Sequence, residues 1–307
     1  MASPPRRIEQ GERISLVLGA GGARGLAQIG VIEALEARGL RIAAIAGSSS
    51  GALVGGIHAA GRLQPFRERL EAMSRGDFLR LLADPALGEG GLFHGRRLVE
   101  AMREVVGDPL IEELPMPFVA VAVDLLRQRE VWLRSGRLWT AIRASFAIPG
   151  LFTPATVHGR ELVDGGLLAP LPIAATRMSD AHRLVAVDMH GWPRQPPGSP
   201  APEDDDPETP TGGEGGNGRS RLARWAGRML DRRLRGEDED VGLADIMSRS
   251  LDTMQAQIAR VQMALDPPEL VIRIPRDACL FYEFWRAKEL IALGREEAGR
   301  ALDAAGY

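Results

Sequence analysis

Two hydrophobic rhythms alternate along the chain. Ile14 to Leu18, reading ISLVL, is a largely apolar run that ends in glycines, as expected of a strand buried on both faces of a parallel sheet. Beyond those glycines Leu26, Ile29, Ile32 and Leu35 recur at helical spacing, and Gly39 is placed to end that helix. IAAIA from Ile42 predicts a second strand, with a helix following from about Ser50. Further strands are expected at FVAVAV (Phe118 to Val123), EVWL (Glu130 to Leu133), LVAV (Leu184 to Val187) and LVIRI (Leu270 to Ile274). Helices are expected near 64–73, 96–106, 137–144, 242–264 and 282–303. The repeated order of strand, loop and helix predicts an α/β fold with a mainly parallel sheet.

One segment breaks the rhythm. Of the 28 residues from Gly191 to Gly218, fourteen are glycine or proline and only Trp192 and Ala201 are plainly apolar. Such a stretch buries too little surface to offset its ordering entropy, so a flexible insertion is expected over 191–240. The 307 residues at first suggest two domains of about 150 each. A strand and a helix resume beyond the insertion, however. The expected division is therefore a flexible N-terminus (1–12), a catalytic core (13–190), the insertion, and a helix-strand-helix (241–307) that completes the same domain.

Charged residues make up 26% of the chain and the formal net charge is −3, which is ordinary globular composition. That balance argues against general nucleic-acid binding, which needs a basic face. The single cysteine, Cys279, excludes an internal disulfide and a multi-thiolate zinc site, and a reducing, cytoplasmic setting is expected. MASPPRRIEQGER at the start has no apolar stretch, so no secretory signal is expected there. From Ile42 to Gly61 the chain runs for twenty residues without a formal charge, long enough to cross a bilayer. Five glycines, three serines and His58 interrupt it, and a strand, a sharp turn and a small-residue helix fit better.

The chemistry-bearing segments lie at the strand ends. GAGGARG, Gly19 to Gly25, offers backbone amides that suit either a pyrophosphate or the oxyanion of a tetrahedral intermediate. The dinucleotide register GxGxxG fails, because counting from Gly19 puts Arg24 at its last position. Alone, the loop chooses neither chemistry. GSSSG, Gly47 to Gly51, is a GxSxG nucleophile elbow with Ser49 at its centre, set between a strand and a helix. Its hydroxyl needs a base. Asp164 follows a short strand in ELVDGGLLAPLP, while His182 and His190 come later, in the Ser, Asp, His order of α/β-hydrolases, with His190 the stronger rival.

GAGGARG, GSSSG some two dozen residues later, RASFAIPGLFTPA (Arg143 to Ala155) and LVDGG together resemble the patatin-like phospholipases, particularly their bacterial members. The resemblance spans about Ile14 to Met189 and resumes from Asp245 to the end. It implies a three-layer α/β/α fold with a mainly parallel sheet, and a serine–aspartate dyad that works without histidine. By that resemblance Ser49 is the nucleophile and Asp164 the base, and the amides of Gly21, Gly22 and Ala23 form the oxyanion hole with Arg24 nearby. Gly25, Gly47, Gly51, Gly165 and Gly166 complete the motifs.

Two positions depart from the family pattern. Ala20 stands at the first glycine of GGGxRG, and Ala169 replaces an asparagine common after DGG, which removes a support of the Asp164 loop. The implied activity is hydrolysis of lipid carboxyl esters, of phospholipase A or lysophospholipase type, through an acyl-enzyme and with neither metal nor cofactor. An unperturbed aspartate, with a pKa of about 3.9, is a weak base at neutral pH. Asp164 therefore needs a short hydrogen bond and partial burial, which Phe146, Leu162, Val163 and Leu167 are suited to supply. A catalytically quiet regulatory or scaffold protein on the same fold is the alternative.

Residues 219–235, RSRLARWAGRMLDRRLR, read as a basic amphipathic helix. Leu222, Trp225, Ala226, Met229, Leu230 and Leu234 share one side, with Arg221, Arg224, Arg228, Arg232 and Arg235 opposite and Arg233 intruding on the apolar side. Two arrangements fit: peripheral contact with a membrane, or docking of the apolar side on the core. The acidic run Glu237 to Asp240 is placed to pair with these arginines and weaken the membrane contact.

Overall fold

The computed structural model describes residue 8 and residues 11–82, 84–86, 90–177, 179, 181, 183–194 and 243–307. The helix expected over 219–235, the rest of the expected insertion from 195 to 240, residues 1–7 and His182 lie outside the described residues. In chain order the strands are β1 (Arg13–Leu18), β2 (Arg41–Ser48), β3 (Gly91–Phe93), β4 (Phe118–Asp124), β5 (Arg129–Leu133), β6 (Gly150–Phe152), β7 (Ala155–Val157), β8 (Arg160–Asp164), β9 (Arg183–Gly191) and β10 (Leu270–Pro275). The helices are α1 (Ala27–Ala37), α2 (Ser50–Ala59), α3 (Leu63–Glu71), α4 (Arg75–Leu82), α5 (Arg96–Val106), α6 (Leu138–Ser145), α7 (Leu243–Leu265) and α8 (Ala287–Ala304).

Eight strands build one mixed sheet in the order β10-β9-β1-β2-β4-β8-β7, with β5 paired to β4 beside that path. β10, β9, β1, β2 and β4 run parallel, so their C-terminal ends share one edge. β5, β7 and β8 join antiparallel. Alternation along the parallel strands divides the core. Leu16, Leu18, Ile45, Val185, Val187 and Ile272 face the larger apolar cluster, whereas Val17, Ala46, Val121 and Ala186 face two smaller ones. α1, α2, α6 and α8 cover the first face. α7 and a 3-10 turn at Ile173–Thr176 cover the second, which gives a three-layer α/β/α sandwich.

Most elements lie where the periodicity places them. Ile42–Gly61 divides between β2 and α2, and no helix of the described residues is long and apolar enough to cross a membrane. The last helix starts five residues later than expected, because 284–286 form a tight 3-10 turn and the Glu283 carboxylate accepts the Leu280 amide at 2.6 Å. α8 packs directly on α1 through glycine. A Cβ on Gly30 would overlap the Ile291 carbonyl, and one on Gly294 would overlap the Ala27 carbonyl. Gly299, on the same α8, faces open space.

The contrast is testable by thermal melting. Gly30→Ala forces the two helices apart and is expected to cost about 1–3 kcal/mol, lowering the melting temperature by roughly 3–10 °C. Gly299→Ala is expected to raise it slightly, because alanine is the better helix former. Equal effects at both positions would mean that the α1–α8 contact is not glycine-limited.

Candidate active site

The site is set by the ends of two strands. β4 pairs with β5 through Ala120–Asp124, so β2 and β8 share its other edge. On that edge Ser48, at the end of β2, lies opposite Val121, and Asp164, at the end of β8, lies opposite Ala122. β2 and β8 run in opposite directions and meet end to end, one register position apart. Ser49 and Asp164 are the residues at that junction.

Ser49 turns the chain from β2 into α2 with φ 55° and ψ −122°. A non-glycine residue held there stores on the order of 1–3 kcal/mol of strain, typical of a nucleophile elbow. Close packing holds the turn: a Cβ on Gly47 would overlap Gly51, and one on Gly51 would overlap the Leu18 carbonyl. A Cβ on Gly25 would overlap Ser50, so elbow and glycine loop are in direct contact.

Ser49 Oγ donates to Asp164 Oδ2 at 2.6 Å, and the Gly166 amide donates to Asp164 Oδ1 at 2.7 Å. Both side chains are buried, with Asp164 only 4% exposed. Burial pushes the Asp164 carboxyl up to about 7, although both hydrogen bonds pull it downward. Leu162, Val163 and Phe146 are among the buried apolar residues of the core. The loop after Asp164 manages without the missing asparagine. Ala169 donates its amide to the Gly165 carbonyl, Ala20 donates to the Pro170 carbonyl, and Gln262 of α7 both accepts from the Leu171 amide and donates to the Leu168 carbonyl.

Within the glycine loop, Gly21 and Gly22 have no acceptor for their amides among the described residues, whereas the Ala23 amide donates to the Phe281 carbonyl at 2.8 Å. Gly22 has φ +57°, and Phe281 packs where its Cβ would be. Arg24 is 4% exposed, and its guanidinium donates to the Gly21, Met189 and Arg276 carbonyls and pairs with Asp252 of α7. These bonds tie the loop to β9 and α7.

His190 belongs to that same group. Its Nδ1 lies 3.3 Å from Asp188 and its Nε2 3.6 Å from Asp252. Burial opposes the Asp188 charge, but the His190 imidazole and amide together hold that carboxyl below its ordinary value. Of the two candidate bases described, the structure brings Asp164 and not His190 to Ser49. Among the described residues no group of three or more His, Cys, Asp or Glu side chains is arranged to hold a metal ion.

Ser145, the last residue of α6, is a part of the site that motif reading passed over. Its hydroxyl donates to the Val121 carbonyl at 2.5 Å and accepts from the Ser49 amide at 2.9 Å. It therefore fixes the strained elbow to the strand that sets the register. The signal was present in RASFAIPG, where a small polar residue sits inside an apolar helix end.

A three-layer α/β/α sandwich with an elbow serine against a buried carboxylate defines a broad class of α/β proteins. Within it, the chain belongs to the patatin-like phospholipase family, whose sequence model matches residues 16–177. At family level this is a lipid ester hydrolase. The chain is 38% identical over 336 residues to an uncharacterized NTE family protein of Mycobacterium tuberculosis, with 95% of this chain and 92% of that protein covered. Lysophospholipase NTE1 of Cryptococcus neoformans is 34% identical over 187 residues, which is 58% of this chain and 11% of that protein. Among solved structures, VipD from Legionella pneumophila aligns over 97% of this chain and 68% of its own, with a TM-score of 0.45 and 13% identity.

Two predictions follow from the geometry. Ser145→Ala leaves a buried amide and carbonyl unpaired, a loss of about 1–3 kcal/mol, and is expected to lower kcat about tenfold or more with little change in KM. Ser145→Thr, which keeps the hydroxyl, is expected to recover part of it. Titration of Asp164 sets the second. Its folded-state carboxyl is raised, so the folded protein holds a proton that the unfolded chain loses between 3.8 and about 7, and stability falls as pH rises through that window. Asp164→Asn is expected to melt higher than wild type at pH 8, with the difference shrinking toward pH 4. A variant that melts lower at pH 8 would contradict a buried charge.

Proposed function

We propose that the chain is a serine acyl-hydrolase of lipid carboxyl esters, of phospholipase A or lysophospholipase type, with Ser49 as nucleophile and Asp164 as its general base. The observation that carries this reading is the 2.6 Å donation from Ser49 Oγ to a buried carboxylate. Burial supplies what an ordinary aspartate lacks: a carboxyl titrating at about 7 takes and returns a proton near neutral pH.

The steps use only this chain's groups, substrate and water. Ser49 Oγ attacks the ester carbonyl carbon as its proton passes to Asp164 Oδ2. The oxyanion is received by the free amides of Gly21 and Gly22, each contributing about 3 kcal/mol at comparable acyl-transfer sites. As the tetrahedral intermediate collapses, the proton moves from Asp164 to the leaving alkoxide, and the acyl group stays on Ser49. Asp164 then takes a proton from water, which attacks the acyl carbon. The second collapse returns a proton to Ser49 Oγ and releases the fatty acid.

A narrow apolar cavity supports an acyl chain as the electrophile's tail. Its walls include Leu53, Phe66, Met102, Trp139, Phe146 and Phe152. Leu53 is one helical turn from Ser49, and Phe146 directly follows Ser145. Flexible methionine and rotating aromatic rings let such a space widen around a methylene chain.

Four measurements test the reading. A fluorophosphonate is expected to label wild type and not Ser49→Ala; absence of a Ser49-dependent adduct would favour a catalytically quiet protein. Asp164→Asn is expected to lose activity by about 10³-fold, with His190→Ala remaining within a few-fold of wild type. Wild-type kcat/KM should rise with pH along a limb near 7, since only ionised Asp164 accepts the proton. Finally, Leu53→Trp is expected to lower kcat/KM for long-chain esters about tenfold or more while sparing short-chain ones.

A further inference from the structure

α7 is oriented against the usual rule that a surface helix turns its apolar side to the core. At about 100° per residue, Asp252, Gln255, Ala259 and Gln262 share one side. That side faces the protein: Asp252 pairs with Arg24 of the glycine loop, Gln262 holds Leu168 and Leu171, and Gln255 Nε2 lies 2.8 Å from where a Cβ on Gly166 would be. Met247, Met254, Ile258, Val261 and Leu265 occupy an arc of about 60° on the outer side. Met254 is 55% exposed, Val261 57% and Leu265 79%.

Further apolar exposure lies on the sheet edge that bears Ser49. Leu125 and Leu126 follow β4, Trp192 follows β9 and Leu280 follows β10, all on the sheet edge that bears Ser49, and Leu126 and Trp192 are more than four-fifths exposed. Leu168, four residues past Asp164 and held by Gln262, joins this rim to α7. On the other side of Leu168, a shallow depression contains Trp132, Arg129 and Arg160. Neither arginine makes an ion pair among the described residues, whereas Glu130 beside them accepts from Trp132 Nε1.

We propose that the outer stripe of α7, with Leu168 and Trp132, is the face that docks on a lipid surface, and that Arg129 and Arg160 meet anionic headgroups at its border. Apolar side chains flanked by two guanidiniums outside any ion pair of the described residues, Arg160 acting on Asp124 only through its charge, match an anionic lipid interface, where the first enter the acyl boundary and the second stay with phosphate. The polar side of the same helix holds the two loops of the candidate site, so docking places those loops beside the lipid. The inference goes beyond the hydrolase reading and uses residues outside its chemistry.

Sedimentation with vesicles tests it, using Ser49→Ala protein so that binding is read without turnover. This protein should co-sediment with phosphatidylcholine vesicles containing phosphatidylglycerol. Met254→Glu/Val261→Glu/Leu265→Glu in that background is expected to weaken binding at least about tenfold. Arg129→Gln/Arg160→Gln is expected to weaken binding several-fold on vesicles with phosphatidylglycerol and not on phosphatidylcholine alone. Should the triple variant melt early, the single Leu265→Glu change, at the most exposed position, is expected to weaken binding in the same direction. Undiminished binding by these glutamate variants would overturn the proposal. So would loss of a concentration-dependent dimer on the triple change with vesicle binding intact, which would assign the stripe to a second copy of the chain. Hydrolysis of a short water-soluble ester by the Ser49-bearing protein separates the readings: its absence alongside intact vesicle binding counts against catalysis and not against docking.

Discussion

The site rests on one constraint, the end-to-end meeting of β2 and β8 along a single edge of β4. Ser48 opposite Val121 and Asp164 opposite Ala122 set the elbow and the carboxylate one ladder position apart before any side chain is considered. A register slip of one residue in β8 would turn Asp164 to the other face of the sheet. The seam is tightly filled. A Cβ on Gly165 would overlap the Val121 carbonyl, and that same carbonyl accepts the Ser145 hydroxyl that holds the Ser49 amide. Sheet register, and not loop flexibility, therefore sets the Ser49–Asp164 distance.

Two unfavourable features are kept at this seam, and each has an identifiable support. Strain at Ser49 is maintained because Gly47, Gly51 and Gly25 let neighbouring backbone approach too closely for the turn to relax. Burial of Asp164 opposes its charge, and the Ser49 hydroxyl and Gly166 amide offset only part of that penalty. What remains is a carboxyl titrating near neutrality, which a solvated aspartate cannot offer. The buried Arg24 guanidinium shows the opposite solution, since three backbone carbonyls and Asp252 satisfy it.

Much of this was legible in the chain. Period-two and period-3.6 patterns located the parallel strands and the longer helices, because those elements are long enough to repeat. Three-residue β3, β6 and β7 carry no period, and α4 buries only Phe78 and Leu82. Even so, α4 announces itself through a capping box: the Asp77 amide donates to Ser74 Oγ and the Ser74 amide donates to the Asp77 carboxylate. Ser49, Asp164 and the glycine loop were readable because their tight turns require small residues at set spacings. Ser145 was not singled out, because its partners, Val121 and Ser49, lie 24 and 96 residues away. His190 showed a plausible order along the chain, but order does not reveal that Asp188 and Asp252 surround it.

α7 shows where periodicity stops being informative. A hydrophobic stripe says which residues share a face and leaves open which face points inward. Sequence alone would send Met254, Val261 and Leu265 to the core. The structure reverses that choice for a reason rooted in the glycine loops themselves. Loops rich in glycine and proline leave backbone groups without side-chain cover, among them the Leu168 carbonyl and the Leu171 amide. Both take a partner from the polar side of α7, through the Gln262 amide. α7 brings Asp252, Gln255 and Gln262 inward beside Ala259 and Met263, and Met254, Val261 and Leu265 are left on the outside.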